Sequence, residues 1–416
     1  MATVEDTSRV MAAPRRTRSW VIGSLAALAM VAASARAQTP TPHLADDAPS
    51  SAVRDSMRAV LERGLADKAY PGAIAVVGDR HEAIATVAVG HQDWAASPKV
   101  DEYTIWDLAS LTKVIGTTTA LMQLWADHRV DLDAPVQRYL PEFVGPHKEL
   151  VTVRHLLTHS SGLPGWRPLY KEATSPAEAL RLLYQTPLDT LPGVRMVYSD
   201  LGAMLLGKIV ERVSGEPLDV YLRRHVFAPL GMTSTMFKPP KRLLPRIAPT
   251  ERDPWRGRLV HGEVHDENAY FLGGVSGHAG LFSDAADLSR FARMYLEGGQ
   301  LDGARIVTPA AIDTFTRVQD SALSNRALGW EVPNGSNSAG HEMSNRAFGH
   351  TGFTGTSIWI DPARDLFVIL LTNRVDPTRD NPRLGPVRVQ LADAVVSVID
   401  AHGPTPPSAA GTGAAP

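Results

Sequence analysis

Ser110-Leu111-Thr112-Lys113 sets a hydroxyl and an amine three residues apart where a helix is expected to begin. Positions i and i+3 of a helix share a face, so Lys113 can fold back over Ser110 and take its proton, a nucleophile beside its own base. The same four residues also spell a capped helix start followed by a solvated lysine. The residues around them separate the two.

Downstream, apolar spacing of helical period marks 111–128, 153–159, 177–184, 201–214, 218–226 and 287–296. Upstream, 53–66 carries Val53, Met57, Val60, Leu61 and Leu65 on one face, and 72–77 and 83–89 read as a hairpin about Gly78-Asp79-Arg80. Toward the end, 347–351, 356–360 and 366–371 read as an antiparallel meander, and 387–399 as a last helix. Strands at both chain ends around a helical middle predict an α+β fold, one antiparallel sheet built from both termini with a mainly helical insertion and a cleft between the two parts. Ser110 then stands at a helix start, where free N–H groups and the helix dipole favour a developing oxyanion.

Two further stretches carry usable chemistry. Tyr198-Ser199-Asp200 follows Pro192-Gly193 and precedes the helix at 201; the phenol can relay a proton to a leaving group, and Asp200 can orient the lysine or a substrate amide. The structural alternative makes Asp200 an N-cap and Tyr198 a half-buried aromatic. In His350-Thr351-Gly352, Gly352 would let a substrate backbone approach the strand, Thr351 offers a hydroxyl to a carboxylate, and His350 can donate a hydrogen bond or carry charge near neutral pH. Phe353 would add its backbone N–H as a second oxyanion donor.

In this order the three elements resemble the signature of the penicillin-recognising serine hydrolases: S-x-x-K, then Y-x-N, then K/H-T/S-G. That superfamily holds the serine β-lactamases, the D-Ala-D-Ala carboxypeptidases and related esterases. The resemblance runs from about residue 54 to residue 399 and is nearest the class C-like branch, whose second motif uses a tyrosine. It includes 105–113, 131–143 and His155-Leu156-Leu157-Thr158-His159-Ser160-Ser161-Gly162-Leu163. The segment 261–283 resembles a subgroup with D-Ala-D-Ala carboxypeptidase character. A β-lactamase/transpeptidase-like fold without metal or cofactor is what this implies. The implied reaction is acyl transfer, in which Ser110 attacks a carbonyl, Lys113 with Tyr198 moves the proton, the Ser110 and Phe353 amides hold the oxyanion, and water releases the acyl group.

Departures from the pattern refine the expectation. Asp200 stands where asparagine is usual, and a carboxylate cannot donate to a substrate carbonyl unless protonated. His350 replaces the lysine of β-lactamases, and the deacylating glutamate of class A enzymes has no counterpart. The balance tilts toward a peptidase or esterase acting on small-molecule or peptide acyl groups, peptidoglycan stem peptides among them. A β-lactamase and a non-catalytic cell-wall peptide-binding protein are the alternatives. Gly274-Val275-Ser276-Gly277-His278 lacks the closing glycine of G-x-S-x-G, which argues against an α/β-hydrolase.

Histidines admit a metal reading. His155 and His159 lie four apart, and His261, His265 and His278 could form a zinc set; capping, core hydrogen bonding and packing behind the nucleophile are the structural alternatives, with Asp266 fixing a histidine tautomer.

The chain ends and composition set the context. Arg15, Arg16 and Arg18, an apolar run over 20–33 and Ala35-Arg36-Ala37 spell a secretory signal peptide over 1–37, cut after Ala37, for a periplasmic or secreted product. Its apolar run is shorter than the ~20 residues that span a bilayer, so no membrane span is expected after cleavage. Arg15-Arg16 also admits twin-arginine export. Residues 38–51 read as a disordered linker, 52–402 as one hydrolase domain and 403–416 as a disordered tail. With no cysteine, disulfides and a thiol nucleophile are excluded; with 42 basic against 44 acidic residues, no field draws the chain to nucleic acid.

Overall fold

Alternate residues of a single strand feed two different cores. The computed structural model describes residues 48–402; the expected signal peptide, the linker up to residue 47 and the tail from 403 lie outside the described residues. Strand β1 (Gly72–Gly78) turns Ala73, Ala75 and Val77 to one face and Ile74 and Val76 to the other, as the two-residue period of a strand requires. It forms a hairpin with β2 (Ala83–Gly90). In the middle of the chain, β3 (Trp106–Asp107), β4 (Met236–Phe237) and β7 (Leu281–Ser283) form a small sheet, and β5 (Arg252–Asp253) with β6 (Arg258–Leu259) and β8 (Gln300–Leu301) with β9 (Ala304–Arg305) make two short hairpins. The far end supplies β10 (Phe348–Thr351), β11 (Ser357–Asp361) and β12 (Leu366–Thr372), which join the first two in the antiparallel order β10-β11-β12-β1-β2.

Helices Ala48–Ala66 and Leu384–His402 cover one face, where Val53, Met57, Leu61, Val395 and Val396 meet Val77, Val87 and Val368. The other face, with Ile74, Ile369 and Leu371, packs under Leu111, Val114 and Leu121 of the helical middle. The sheet from both chain ends with its helical insertion is therefore as expected. The small sheets were not anticipated, because strands of two or three residues are too short to show alternation. The first helix starts at Ala48, which corrects the linker at 48–51: once a turn exists, each added residue gains a hydrogen bond. No helix among the described residues is long and apolar enough to cross a membrane.

Candidate active site

Ser110 stands on a strained turn. Ala109 before it adopts φ 46°, a left-handed conformation that costs a β-carbon roughly 1–2 kcal/mol. The buried Asp107 carboxylate compensates: Oδ1 accepts the Ala109 N–H at 2.8 Å and Oδ2 the His265 N–H at 2.6 Å. From the turn after β10, Thr354 donates to the Asp107 carbonyl at 2.6 Å and Thr356 to the Leu108 carbonyl at 3.0 Å. These bonds bring Phe353 beside the nucleophile. A Cβ on Gly352 would meet Thr356 Oγ1 at 2.1 Å and the Leu108 carbonyl at 2.4 Å, so glycine here admits the protein's own turn as well as lining the cavity at Ser110. The Ser110 and Phe353 amides donate to no group among the described residues, as oxyanion donors should before substrate arrives.

The chain is helical from Leu111, widening into a π-helical turn over Lys113–Thr118. Lys113 Nζ donates to Ser110 Oγ at 2.9 Å and to the His278 carbonyl at 3.0 Å, and lies 2.7 Å from Asp200 Oδ1. The Asp200 contact is an ion pair whose angles miss hydrogen-bond geometry, leaving Oδ1 without a hydrogen-bond partner. Burial pushes the Lys113 amine down, yet the Asp200 carboxylate, with the Tyr198 hydroxyl beside it, outweighs burial and holds the amine above the ordinary lysine value. The resting lysine is an ammonium.

Tyr198 is the complement. Burial pushes its phenol up and Lys113 opposes only in part, so it stays protonated, and its buried Oη has no hydrogen-bond partner. His159 positions it: Nδ1 accepts the Ser199 N–H at 3.1 Å and the imidazole packs 4.6 Å from the Tyr198 ring. Ser199, not Asp200, is the N-cap of the helix Asp200–Ser214, accepting from Gly202 N–H. His155 caps its own helix with Thr152, so the 155/159 metal pair is replaced by capping and core hydrogen bonding.

His350 is buried and its Nδ1 lies 2.8 Å from the Thr351 carbonyl. A carbonyl only accepts, so Nδ1 carries the hydrogen and Nε2 turns its lone pair toward Arg326 Nη1, 3.5 Å away. Burial, then Arg326 and Lys113, push the imidazole well below its ordinary pKa. Of the two roles open to His350, donor or cation, the lowered pKa favours the neutral donor, and Arg326 supplies the cation. Arg326 also pairs with Glu331 at 2.9 Å and lies 5.1 Å from the Tyr198 ring centre.

Two cavities meet at Ser110, Tyr198 and Phe353. The larger, about 470 Å³, is walled by Thr351, Arg326, Arg374 and Arg388. Arg374 donates to the carbonyls of Phe353, Arg379 and Asn381, and Arg388 to those of Gly352 and Thr356; among the described residues neither forms an ion pair. Burial pushes both guanidinium groups down, Arg388 to about 10.

The smaller cavity, about 220 Å³, has Asp200, Asp266 and Glu267 in its wall beside His278, Trp166 and Arg379, which pairs with Glu267 at 2.7 Å. His278 Nε2 lies 2.8 Å from Asp266 Oδ1, and burial of that carboxyl is overridden by His278, which holds it well below the usual range. The expected tautomer-fixing role of Asp266 thus falls on His278. His265 pairs instead with Glu251, and His261 Nε2 with the carbonyls of Leu244 and Ile247, so the three histidines do not converge as a zinc set. Asp200, Asp266 and His278 do bring donor atoms within 4.8 Å of one another. Lys113 is already the cation at Asp200.

Ser110, Lys113, Tyr198, Asp200, His350, Thr351, Gly352 and Phe353 are all assembled about this one cleft. Sequence reasoning missed Arg326, Arg374, Arg388 and Trp166, which come from loops and a helix start with no motif spacing.

The Beta-lactamase family model matches residues 57–393. The chain is 35% identical over 368 residues to an N-acetylmuramyl-L-alanine amidase of Bacillus subtilis, covering 78% of this chain and 82% of that one. It is 34% identical over 313 residues to a chain of Escherichia coli named "Putative D-alanyl-D-alanine carboxypeptidase", covering 68% and 72%. A penicillin-binding protein homologue from Caulobacter crescentus shares the fold at TM-score 0.68 and 22% identity, over 85% of this chain and 98% of that one. With the family model and both relatives covering most of its length, the chain belongs to the Beta-lactamase family of serine hydrolases.

Proposed function

We propose that this hydrolase cleaves an amide bond in a peptidoglycan-derived peptide through an acyl-enzyme on Ser110, in the manner of a D-Ala-D-Ala carboxypeptidase. The carrying observation is the wall of arginines beside the nucleophile. Arg374 and Arg388 are half-buried cations whose partners among the described residues are backbone carbonyls and no carboxylate, so a substrate carboxylate next to the scissile bond would give them the charged partner they lack. The names of both relatives describe enzymes of such material, one an amidase and one a carboxypeptidase. The signal-peptide reading of 1–37 would place the enzyme where that material is.

In the proposed reaction Lys113, once in its amine form, takes the Ser110 proton as Oγ attacks the carbonyl, and the Ser110 and Phe353 amides receive the oxyanion. Tyr198 donates its phenolic proton to the leaving nitrogen, which suits a buried hydroxyl with no other acceptor. Water, deprotonated by the same pair, releases the acyl group. The 2.9 Å contact between Lys113 and Ser110 speaks against a non-catalytic binder, which has no use for it.

The test compares the protein with Ser110→Ala on a pentapeptide ending in D-Ala-D-Ala, nitrocefin, fluorescent penicillin and p-nitrophenyl esters. Release of D-Alanine should fall on the order of 10³-fold or more in the variant. Equal rates on every substrate would leave the binder; nitrocefin turnover outpacing the peptide would make β-lactams the substrate, and ester turnover alone would make an esterase.

A further inference from the structure

The amides of Ser110 and Phe353 are each one end of a peptide unit, and what holds the carbonyl at the other end differs between them. The Ala109 carbonyl, which shares its peptide with the Ser110 N–H, accepts the Thr112 N–H at 3.0 Å where the helix begins, so that peptide is aligned with the helix dipole. The Gly352 carbonyl, which shares its peptide with the Phe353 N–H, lies in the turn after β10 and has no helix behind it. It accepts Arg388 Nη2 at 2.9 Å instead.

Turn closure does not account for that guanidinium. The Gly352 carbonyl also accepts the Gly355 N–H at 3.1 Å, and the Gly352 N–H donates to the Thr356 carbonyl at 2.7 Å. The Thr354 and Thr356 hydroxyls tie the same turn to the Asp107 and Leu108 carbonyls. Arg388 arrives from a distant element, the helix Leu384–His402, and its Nη2 bridges the carbonyls of Gly352 and Thr356 at 2.9 and 2.7 Å. Its Nε is buried without a hydrogen-bond partner. A cation is thus kept where four neutral hydrogen bonds already close the turn.

What the cation adds is electrostatic. A guanidinium bonded to a peptide carbonyl makes a charge-assisted hydrogen bond and draws electron density toward the oxygen, so the N–H of that peptide becomes a stronger donor. Across the next peptide, Arg374 Nε donates to the Phe353 carbonyl at 3.0 Å. Both peptide units that meet at Phe353 therefore end on a guanidinium, and the donor is held in place before substrate arrives.

We propose that Arg388 is a positioning residue of the oxyanion hole, holding the Gly352 carbonyl so that the Phe353 N–H is fixed and polarised toward the charge that develops when Ser110 attacks. This rests on the acyl-enzyme reading above, and it gives Arg388 a duty independent of any substrate carboxylate. The guanidinium does for Phe353 what the helix start does for Ser110, acting through the peptide without touching substrate.

The test uses p-nitrophenyl acetate, which has no carboxylate, beside the pentapeptide ending in D-Ala-D-Ala. Arg388→Met should lower kcat on both by roughly tenfold with KM nearly unchanged, a part of the about 10²–10³ that a whole oxyanion donor supplies. Phenylboronic acid, whose tetrahedral adduct with Ser110 sets an oxygen between the two amides, should bind more weakly by a similar factor. Arg388→Lys keeps a cation able to reach one carbonyl and should recover part of the loss, and thermal unfolding of both variants reads the effect on the fold separately. A loss confined to the peptide and appearing in KM would make Arg388 a carboxylate partner alone and overturn the proposal. Equal losses in the two variants that follow Tm, or no loss at all, would also overturn it. If the ester is cleaved and the peptide is not, the peptidase reading falls while the ester and the boronate still decide this one. If the unaltered protein neither cleaves the ester nor binds the boronate through Ser110, there is no oxyanion hole and both fall.

Discussion

Lys113 Nζ lies 2.7 Å from Asp200 Oδ1, at the position where the family's second motif has an amide. An amide would leave burial to lower the lysine; the carboxylate reverses the direction and keeps the ammonium. The amine that accepts the Ser110 proton therefore gains population as pH rises, and kcat/KM should climb with pH.

Asp200→Asn should move that acid limb to lower pH by about one unit or more, because burial is then opposed by Tyr198 alone. A kcat/KM profile from pH 6 to 10 on the D-Ala-D-Ala peptide measures it, and an unmoved limb would assign the base to another group. For stability the sign is that of a raised lysine: the contribution is complete below the ordinary lysine value and fades as pH climbs through the folded one. Thermal unfolding should show the loss only in alkaline solution.

Arg326 touches both His350 and the Tyr198 ring, so its loss should be felt as recognition. Arg326→Gln should lower kcat/KM on a peptide with a free C-terminal carboxylate by ~10–100-fold relative to its C-terminal amide, the scale of one charge-assisted hydrogen bond. Assaying both peptides on both proteins gives the ratio. An unchanged ratio would leave the carboxylate to Arg374 and Arg388 with no help from Arg326.

How far the sequence reveals this site depends on how locally each part is encoded. Ser110 and Lys113 share one helical turn, and His350 to Phe353 share one strand and its turn, so spacing alone places them. Strands β1 and β12 declare themselves by β-branched runs, although their pairing crosses nearly the whole chain. The charges are another matter. That His350 is neutral follows from its burial and from Arg326, 24 residues away on an irregular loop, and that Lys113 is charged follows from Asp200 across the cleft. Neither relation has a period or a spacing, because each is made by folding. Gly352 shows the same limit from the other side: its spelling suggested room for a ligand, and only the fold shows that the Leu108 carbonyl also needs the missing Cβ.

Gly277 ties the packing of the helical middle to the catalytic lysine. A Cβ there would lie 2.3 Å from the Ala203 carbonyl and 2.8 Å from Gly207 Cα, both backbone atoms of the helix Asp200–Ser214. The Gly277 carbonyl accepts from Thr117 Oγ1 at 2.8 Å, and the next carbonyl, of His278, holds Lys113 Nζ. Gly277→Ala must push this segment off the helix, at about 1–3 kcal/mol for overpacking, and the displacement reaches Lys113 through one peptide unit. Both Tm and kcat should fall. Gly215→Ala separates the two effects: that residue caps the far end of the same helix at φ 79° with open space around it, so alanine strains only the backbone. Thermal unfolding and peptide turnover on the two variants should show comparable losses of Tm but a fall in kcat for Gly277→Ala alone. Equal kcat in both would mean that the His278 carbonyl does not position the lysine.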